Sequence, residues 1–303
     1  MPQHLVDPEG ATDYKNELNK FWMQGREGFA YGRANNDGYN SIYQYENNMS
    51  IPILIIGSSH MLAEEVMLEE NAASLLSKLS GRIAYNTGMG GHSFINCAAN
   101  FDNAIKKYKP NEYAIIETHS VNFSDEELKH ILNKDVFKRT AFDKGIAALI
   151  RKNPFLRLLY RQFFVSLVRD ITMPKNYNSS NYSHRENTDA LLSEVLGGLK
   201  RTASSYDVNL IIAYHPPVSL NKDGTLSINK SPDIEKQFSD LCAQNGIYFL
   251  NMRSRFLNEY AENHTLPYGF FNTSVGKGHM NRYGHRMFAE EIYKLIKRIE
   301  AQS

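Results

Sequence analysis

Three short clusters hold the side chains most able to do chemistry. In Gly57-Ser58-Ser59-His60 a serine follows an apolar run and opens a helical pattern. At such a strand-to-helix turn the hydroxyl is exposed, beside a helix N-terminus that favours developing negative charge. Helix capping by Ser58 or Ser59 is the plain alternative. In Gly278-His279-Met280-Asn281-Arg282-Tyr283-Gly284-His285 a histidine precedes the last helical pattern, and a weak hydroxyl nucleophile needs such a base. Asn86-Thr87-Gly88-Met89-Gly90-Gly91-His92-Ser93 is rich in glycine. It could bring backbone N–H groups up to an oxyanion, or it could be a turn that needs positive φ. A phosphate-binding reading is weaker there, because no Lys-Ser/Thr follows and the dinucleotide spacing is absent.

These clusters fall at the ends of alternating strand and helix patterns. Strands are expected at residues 53–56, 82–87, 113–118, 208–214 and 247–250, since short apolar runs bounded by turn residues read as strands buried on both faces. Helices are expected at 61–79, 93–107, 188–205, 233–244 and 282–299, with another around 13–24. This alternation predicts an α/β fold: a five-stranded parallel sheet covered by helices on both faces. In such a sheet the working groups gather beyond the C-terminal strand ends. His60, His92, His119, His215 and His279 all fall there, which suits hydrogen-bonding to a substrate. A metal site built from imidazoles is a weaker alternative, because no His-x-x-x-His pair is present.

Residues 1–50 read as a polar, Asn- and Tyr-rich extension packing on a domain at 51–303. Residues 120–187 are too long for one crossover and read as a helical insertion. The apolar and basic stretch 154–164 in it could be a packed or interface helix, a lid, or a membrane-surface contact. A flexible loop is expected at 177–183.

Composition narrows the function classes. The 303 residues carry 34 Lys and Arg against 33 Asp and Glu, so there is no basic stripe for nucleic acid. Two cysteines, Cys97 and Cys242, make no disulfide framework and no zinc spacing, and read as buried apolar residues. No signal-peptide pattern and no spanning apolar segment is present in the sequence as given, so a cytoplasmic location is expected unless a leader has been trimmed. No cofactor, nucleic-acid partner or membrane contact is expected, and homo-oligomerisation is left open.

The order Gly-x-Ser after strand one, Asn-x-Gly-x-x-Gly after strand two and His-x-Asn-x-x-Gly-His before the last helix resembles the SGNH/GDSL hydrolase superfamily. The Gly-Ser-Ser-His variant is similar to bacterial members that modify envelope or exopolysaccharide acyl groups. The resemblance spans roughly residues 50–300 in element order and implies a three-layer α/β/α, flavodoxin-like fold. It implies Ser59 as nucleophile, His279 as base, and an oxyanion hole from the N–H of Ser59 and Gly91. His285 is left as a structural residue.

Two departures from the family pattern matter. The third block, Gly-x-Asn-Asp, is replaced by Ile116-Glu117-Thr118-His119-Ser120-Val121-Asn122. Asn122 is the substitute expected in the oxyanion hole, with His119 or Ser120 open as alternatives. The family's aspartate three residues before the histidine is Gly276 here. Either a Ser–His dyad operates, or an acid arrives from elsewhere. Glu117 is the candidate for that acid, or a structural carboxylate paired with an arginine. The activity this implies is a serine esterase removing a small acyl group, acetyl above all, from a carbohydrate. The alternatives are an acyltransferase onto a sugar hydroxyl through the same serine, a non-catalytic binding protein, and a metal-dependent hydrolase.

Overall fold

The central apolar runs become strands because alternate residues can be buried on both faces. In Ile51–Ile56 (β3), Ile51, Leu54 and Ile56 join one apolar cluster while Ile53 and Ile55 join the other. The computed structural model describes residues 20–24, 29–47, 49–132, 182–228, 231–270, 273 and 275–302.

A first hairpin pairs β1 (Lys20–Gln24) with β2 (Phe29–Arg33). After β3 come α1 (Ser59–Leu62), a 3₁₀ turn at Leu68–Glu70, α2 (Ala72–Ser80), β4 (Ala84–Asn86), α3 (Phe94–Tyr108), β5 (Pro110–Thr118) and α4 (Asp125–Leu132). The second half holds α5 (Tyr182–Ser205), β6 (Asn209–Tyr214), the hairpin β7 (Val218–Leu220) and β8 (Leu226–Ile228), α6 (Pro232–Gln244), β9 (Tyr248–Asn251), α7 (Arg253–Asn263) and α8 (Arg282–Glu300).

The main sheet has the order β4-β3-β5-β6-β9, and every pairing in it is parallel. Counted within the sheet this is 2-1-3-4-5, the flavodoxin-like order, whose switch point lies between β3 and β5. One face buries Phe94, Phe101, Ile105, Leu196, Leu199 and Phe238 from α3, α5 and α6. The other buries Leu76, Phe256, Met287, Phe288, Ile292 and Ile296 from α2, α7 and α8. The expected three-layer α/β/α architecture and five parallel strands are therefore present.

Several expected elements differ. Lys20–Gln24 is a strand, so the helix expected at 13–24 is wrong over its last five residues; residues 13–19 lie outside the described ones. The Lys20–Gln24 stretch pairs antiparallel with β2, from Lys20 opposite Arg33 to Gln24 opposite Phe29, and that pairing overrides the local helical pattern. The helix expected at 61–79 is broken: α1 ends after one turn, where Ala63 takes φ 54°. A second helix starts only at Ala72, capped by Asn71, whose Oδ1 accepts the Ser74 N–H. α5 begins at Tyr182, within the loop expected at 177–183. The 154–164 stretch lies outside the described residues. α7 and the β7–β8 hairpin had no counterpart in the sequence reading.

Residues of the N-terminal segment pack on the sheet's β4 side. Asn35 Nδ2 donates to the Tyr85 hydroxyl at 2.7 Å, and the Tyr108 hydroxyl donates to Asp37 at 2.9 Å. Among the described residues no helix is long and apolar enough to cross a membrane.

Candidate active site

β3 ends at the switch point, and α1 starts after two intervening residues, Gly57 and Ser58. Ser58 caps α1, its hydroxyl accepting the His60 N–H at 3.2 Å. The capping alternative thus falls to Ser58, and Ser59 is left with its hydroxyl free for other work. The Ser59 N–H has no hydrogen-bond partner among the described residues.

His279 reaches Ser59 from the segment before α8. Its Nε2 lies 2.9 Å from Ser59 Oγ. This segment is pinned from behind: Gly269 N–H donates to the His279 carbonyl at 3.1 Å, and Asn281 N–H to the Pro267 carbonyl at 3.0 Å. Asn281 Oδ1 also caps α8 by accepting the N–H groups of Tyr283 and Gly284. Gly284 allows the close approach, since a Cβ there would stand 2.3 Å from the Pro267 carbonyl oxygen.

The other ring nitrogen of His279, Nδ1, faces Glu65 Oε1 at 3.2 Å. Glu65 stands in the stretch between α1 and α2 that was expected to be helical. The break at Ala63 is what carries this carboxylate to the imidazole. The missed signal was Asn71-Ala72-Ala73-Ser74, a helix start that ends any continuous helix upstream of it.

Glu117, expected to orient His279, is committed elsewhere. It is fully buried, accepts the Ser58 N–H at 2.6 Å and the Ser58 hydroxyl at 3.2 Å, and lies 2.5 Å from His215 Nε2. Burial alone would raise its pKa, but the His215 imidazole and the Ser58 N–H outweigh that and hold it below the usual carboxylate range. The sequence alternative of a structural carboxylate is the one that fits, with histidine in place of the arginine. His215 Nδ1 is in turn 2.7 Å from the Tyr268 hydroxyl.

Four of the five rim histidines come together. The His60 ring centroid lies 5.5 Å from that of His119, 4.7 Å from His215 and 5.2 Å from His279. His60 Nδ1 accepts the Met280 N–H at 3.1 Å. Burial, with the imidazoles of His215, His279 and His119 adding to it, holds His60 well below the ordinary histidine range, so the ring is neutral. His92 does not join this group. It lines a separate cavity of about 530 Å³ with Tyr39, Thr87, Met89 and Tyr108, on the α3 face. Among the described residues no group of three His, Cys, Asp or Glu is disposed to hold a metal ion.

Gly91 is exposed and takes φ 79°, so its turn does require glycine. Asn122 is exposed too; Ser120 Oγ bonds to its backbone, and no described contact joins it to Ser59 or His279. His285 is buried in α8 and accepts the Ala72 N–H on Nδ1, which makes it a structural residue. Cys97 and Cys242 are free and buried. A cavity of about 350 Å³ is lined by His60 and Gly278, the chain neighbours of Ser59 and His279, with His119, Val218, Tyr268 and Lys277 among others.

No protein-family model matches this sequence, and no curated protein does. Solved structures similar to it include an acetyl xylan esterase at 12% identity and TM-score 0.44, covering 80% of this chain and 99% of that one. TesA matches at 13% identity and TM-score 0.44, with coverage of 81% and 98%. A GDSL-like lipase from Bacteroides thetaiotaomicron matches at 10% identity and TM-score 0.39, with coverage of 82% and 88%. Likeness this distant leaves the chemistry to be argued from the side chains.

Proposed function

We propose that this chain is a serine ester hydrolase in which Ser59, His279 and Glu65 form the catalytic triad. The observation that carries the reading is the line of contacts Ser59 Oγ to His279 Nε2 at 2.9 Å and His279 Nδ1 to Glu65 Oε1 at 3.2 Å. A hydroxyl, an imidazole and a carboxylate in that order are recognised by geometry and role, whatever their positions in sequence.

His279 takes the Ser59 proton as the hydroxyl oxygen attacks the ester carbonyl, and the carbonyl oxygen becomes a tetrahedral oxyanion. Glu65, with its Oε1 3.2 Å from Nδ1, is the carboxylate placed to favour the tautomer with its proton on Nδ1 and to stabilise the imidazolium that forms. The unpartnered Ser59 N–H is the first donor for the oxyanion. Gly91 N–H and the Asn122 side chain are the further donors that the order of the motifs suggests. His279 then returns its proton to the leaving alcohol, and water resolves the acyl-enzyme by the same route.

The substrate assigned is the ester of a small acyl group such as acetyl on a carbohydrate hydroxyl. The neighbouring cavity, about 350 Å³, lies at the small end of the range for ligand sites, roughly 300–1,000 Å³. It offers hydrogen-bonding groups from His60, His119 and Lys277. Reaction with a fluorophosphonate and location of the adduct by mass spectrometry test the mechanism. Labelling at Ser59 that is lost in His279→Ala is expected. An unlabelled, folded protein that also leaves p-nitrophenyl acetate intact would overturn the reading. Repeating the assay with an acceptor sugar separates hydrolysis from acyl transfer.

A further inference from the structure

We propose that His60 is a positioning residue for the base, gripping the peptide unit that joins His279 to Met280 and so holding the imidazole over Ser59. This rests on the serine-hydrolase reading above. The residues Ser59 and His60 are bonded at two points to the residues His279 and Met280. Ser59 Oγ meets His279 Nε2 at 2.9 Å, and His60 Nδ1 accepts the Met280 N–H at 3.1 Å. A single bond between two segments leaves a pivot; two bonds between neighbouring residues fix the rotation as well.

The same peptide unit is held on its other side. Its carbonyl, that of His279, accepts the Gly269 N–H at 3.1 Å. In a trans peptide the C=O and N–H point in opposite directions, so Gly269 and His60 clamp one planar group between them. The His279 Cα is attached to that plane, and its ring can swing only about its own side-chain bonds.

The clamp needs a bare Nδ1, hence a neutral ring with its proton on Nε2. The surroundings favour this form. His60 is faced by His119 from the end of β5, His215 from the end of β6, Tyr268, and His279 itself. The nearby carboxylates are engaged elsewhere, Glu117 with His215 and Glu65 with His279.

Three variants of the full chain test the role: His60→Asn, His60→Leu and His60→Ala. Asparagine can place an acceptor oxygen near the Nδ1 position, whereas leucine fills the volume without an acceptor. Misplacing the base by about 1 Å is expected to lower kcat by about 10-fold to 100-fold. The leucine variant should show that loss with KM nearly unchanged, and its Met280 N–H should exchange faster with solvent. Asparagine should recover most of the rate and the amide protection. A role in packing alone predicts the reverse order, leucine above asparagine. Alanine gives the same comparison with asparagine should leucine fail to fold. Wild-type rates in the leucine or alanine variant, or asparagine no better than they are, would overturn the clamp alone. Failure of fluorophosphonate to label wild-type Ser59 would instead remove the hydrolase reading, and the clamp's role in catalysis with it.

Discussion

Two glutamate–histidine pairs share one rim of the sheet and share little beyond residue type. His279 and Glu65 stand 3.2 Å apart with side chains 28% and 10% exposed. His215 and Glu117 stand 2.5 Å apart and are both 0% exposed. In the first pair Nε2 is offered to Ser59, which is the contact the proposed proton transfer requires. In the second pair both nitrogens are engaged, one by Glu117 and one by the Tyr268 hydroxyl, so neither is open to substrate. It anchors the turn: Glu117 also accepts the N–H of Ser58, one residue before Ser59. Partners and access separate the proposed proton carrier from the buried pair, although residue types alone make them look alike.

The comparison breaks most sharply at the exposed pair. His279→Ala and Ser59→Ala should each lower kcat for p-nitrophenyl acetate by roughly 10⁴-fold or more while thermal melts stay close to wild type. A large loss of stability with modest loss of rate would invert the assignment of the two pairs. Glu65→Gln keeps the shape but cannot hold the tautomer, and a fall in kcat of roughly 10²-fold to 10⁴-fold is expected. Wild-type rates in that variant would return the site to a Ser–His dyad.

At the buried pair the effect should appear as stability. Removing one partner of a buried pair leaves the other without compensation, so Glu117→Ala should cost about 3–5 kcal/mol in urea unfolding. Activity lost at unchanged stability would instead make Glu117 a catalytic acid.

Acid stability also follows burial. Glu117 titrates in the folded chain below its ordinary value of 4.5. Its contribution is therefore complete above pH 4.5 and is lost as pH falls through the lower folded value. His285 acts in a higher window. Burial brings it down to about 3 from 6.5. Below pH 6.5 the unfolded chain therefore takes up a proton that the folded chain refuses, and stability declines until about pH 3. Melting curves from pH 7 to pH 4 should flatten in His285→Asn, whose amide oxygen can still accept the Ala72 N–H. Equal slopes in variant and wild type would count against burial as the cause.

Much of this architecture was legible in the chain. Each short run such as Leu210-Ile211-Ile212, bounded by turn residues and rich in β-branched side chains, reads as a strand buried on both faces, and alternation with helices points to a parallel sheet. Ser59 and His279 were legible because each sits at a boundary that local residues define, a glycine turn before α1 and the Asn281 cap of α8. His92, expected on the shared rim, faces a different cavity. It was placed by position along the chain, which says that a residue lies past a strand end but not toward which layer it turns.

The sequence by itself determined the sheet and the places of Ser59 and His279 at its rim, because short-range rules of periodicity, turns and caps act within a dozen residues. Which carboxylate meets His279 was decided only in three dimensions. Glu65 lies in an acid-rich stretch that reads as helix, and Glu117 stands at a strand end that reads as catalytic. The positive φ at Ala63 bends the chain out of the helix and brings Glu65 to His279, while the approach of β6 gives Glu117 to His215 instead. Both outcomes depend on which distant segments meet, and no local pattern in either stretch encodes that.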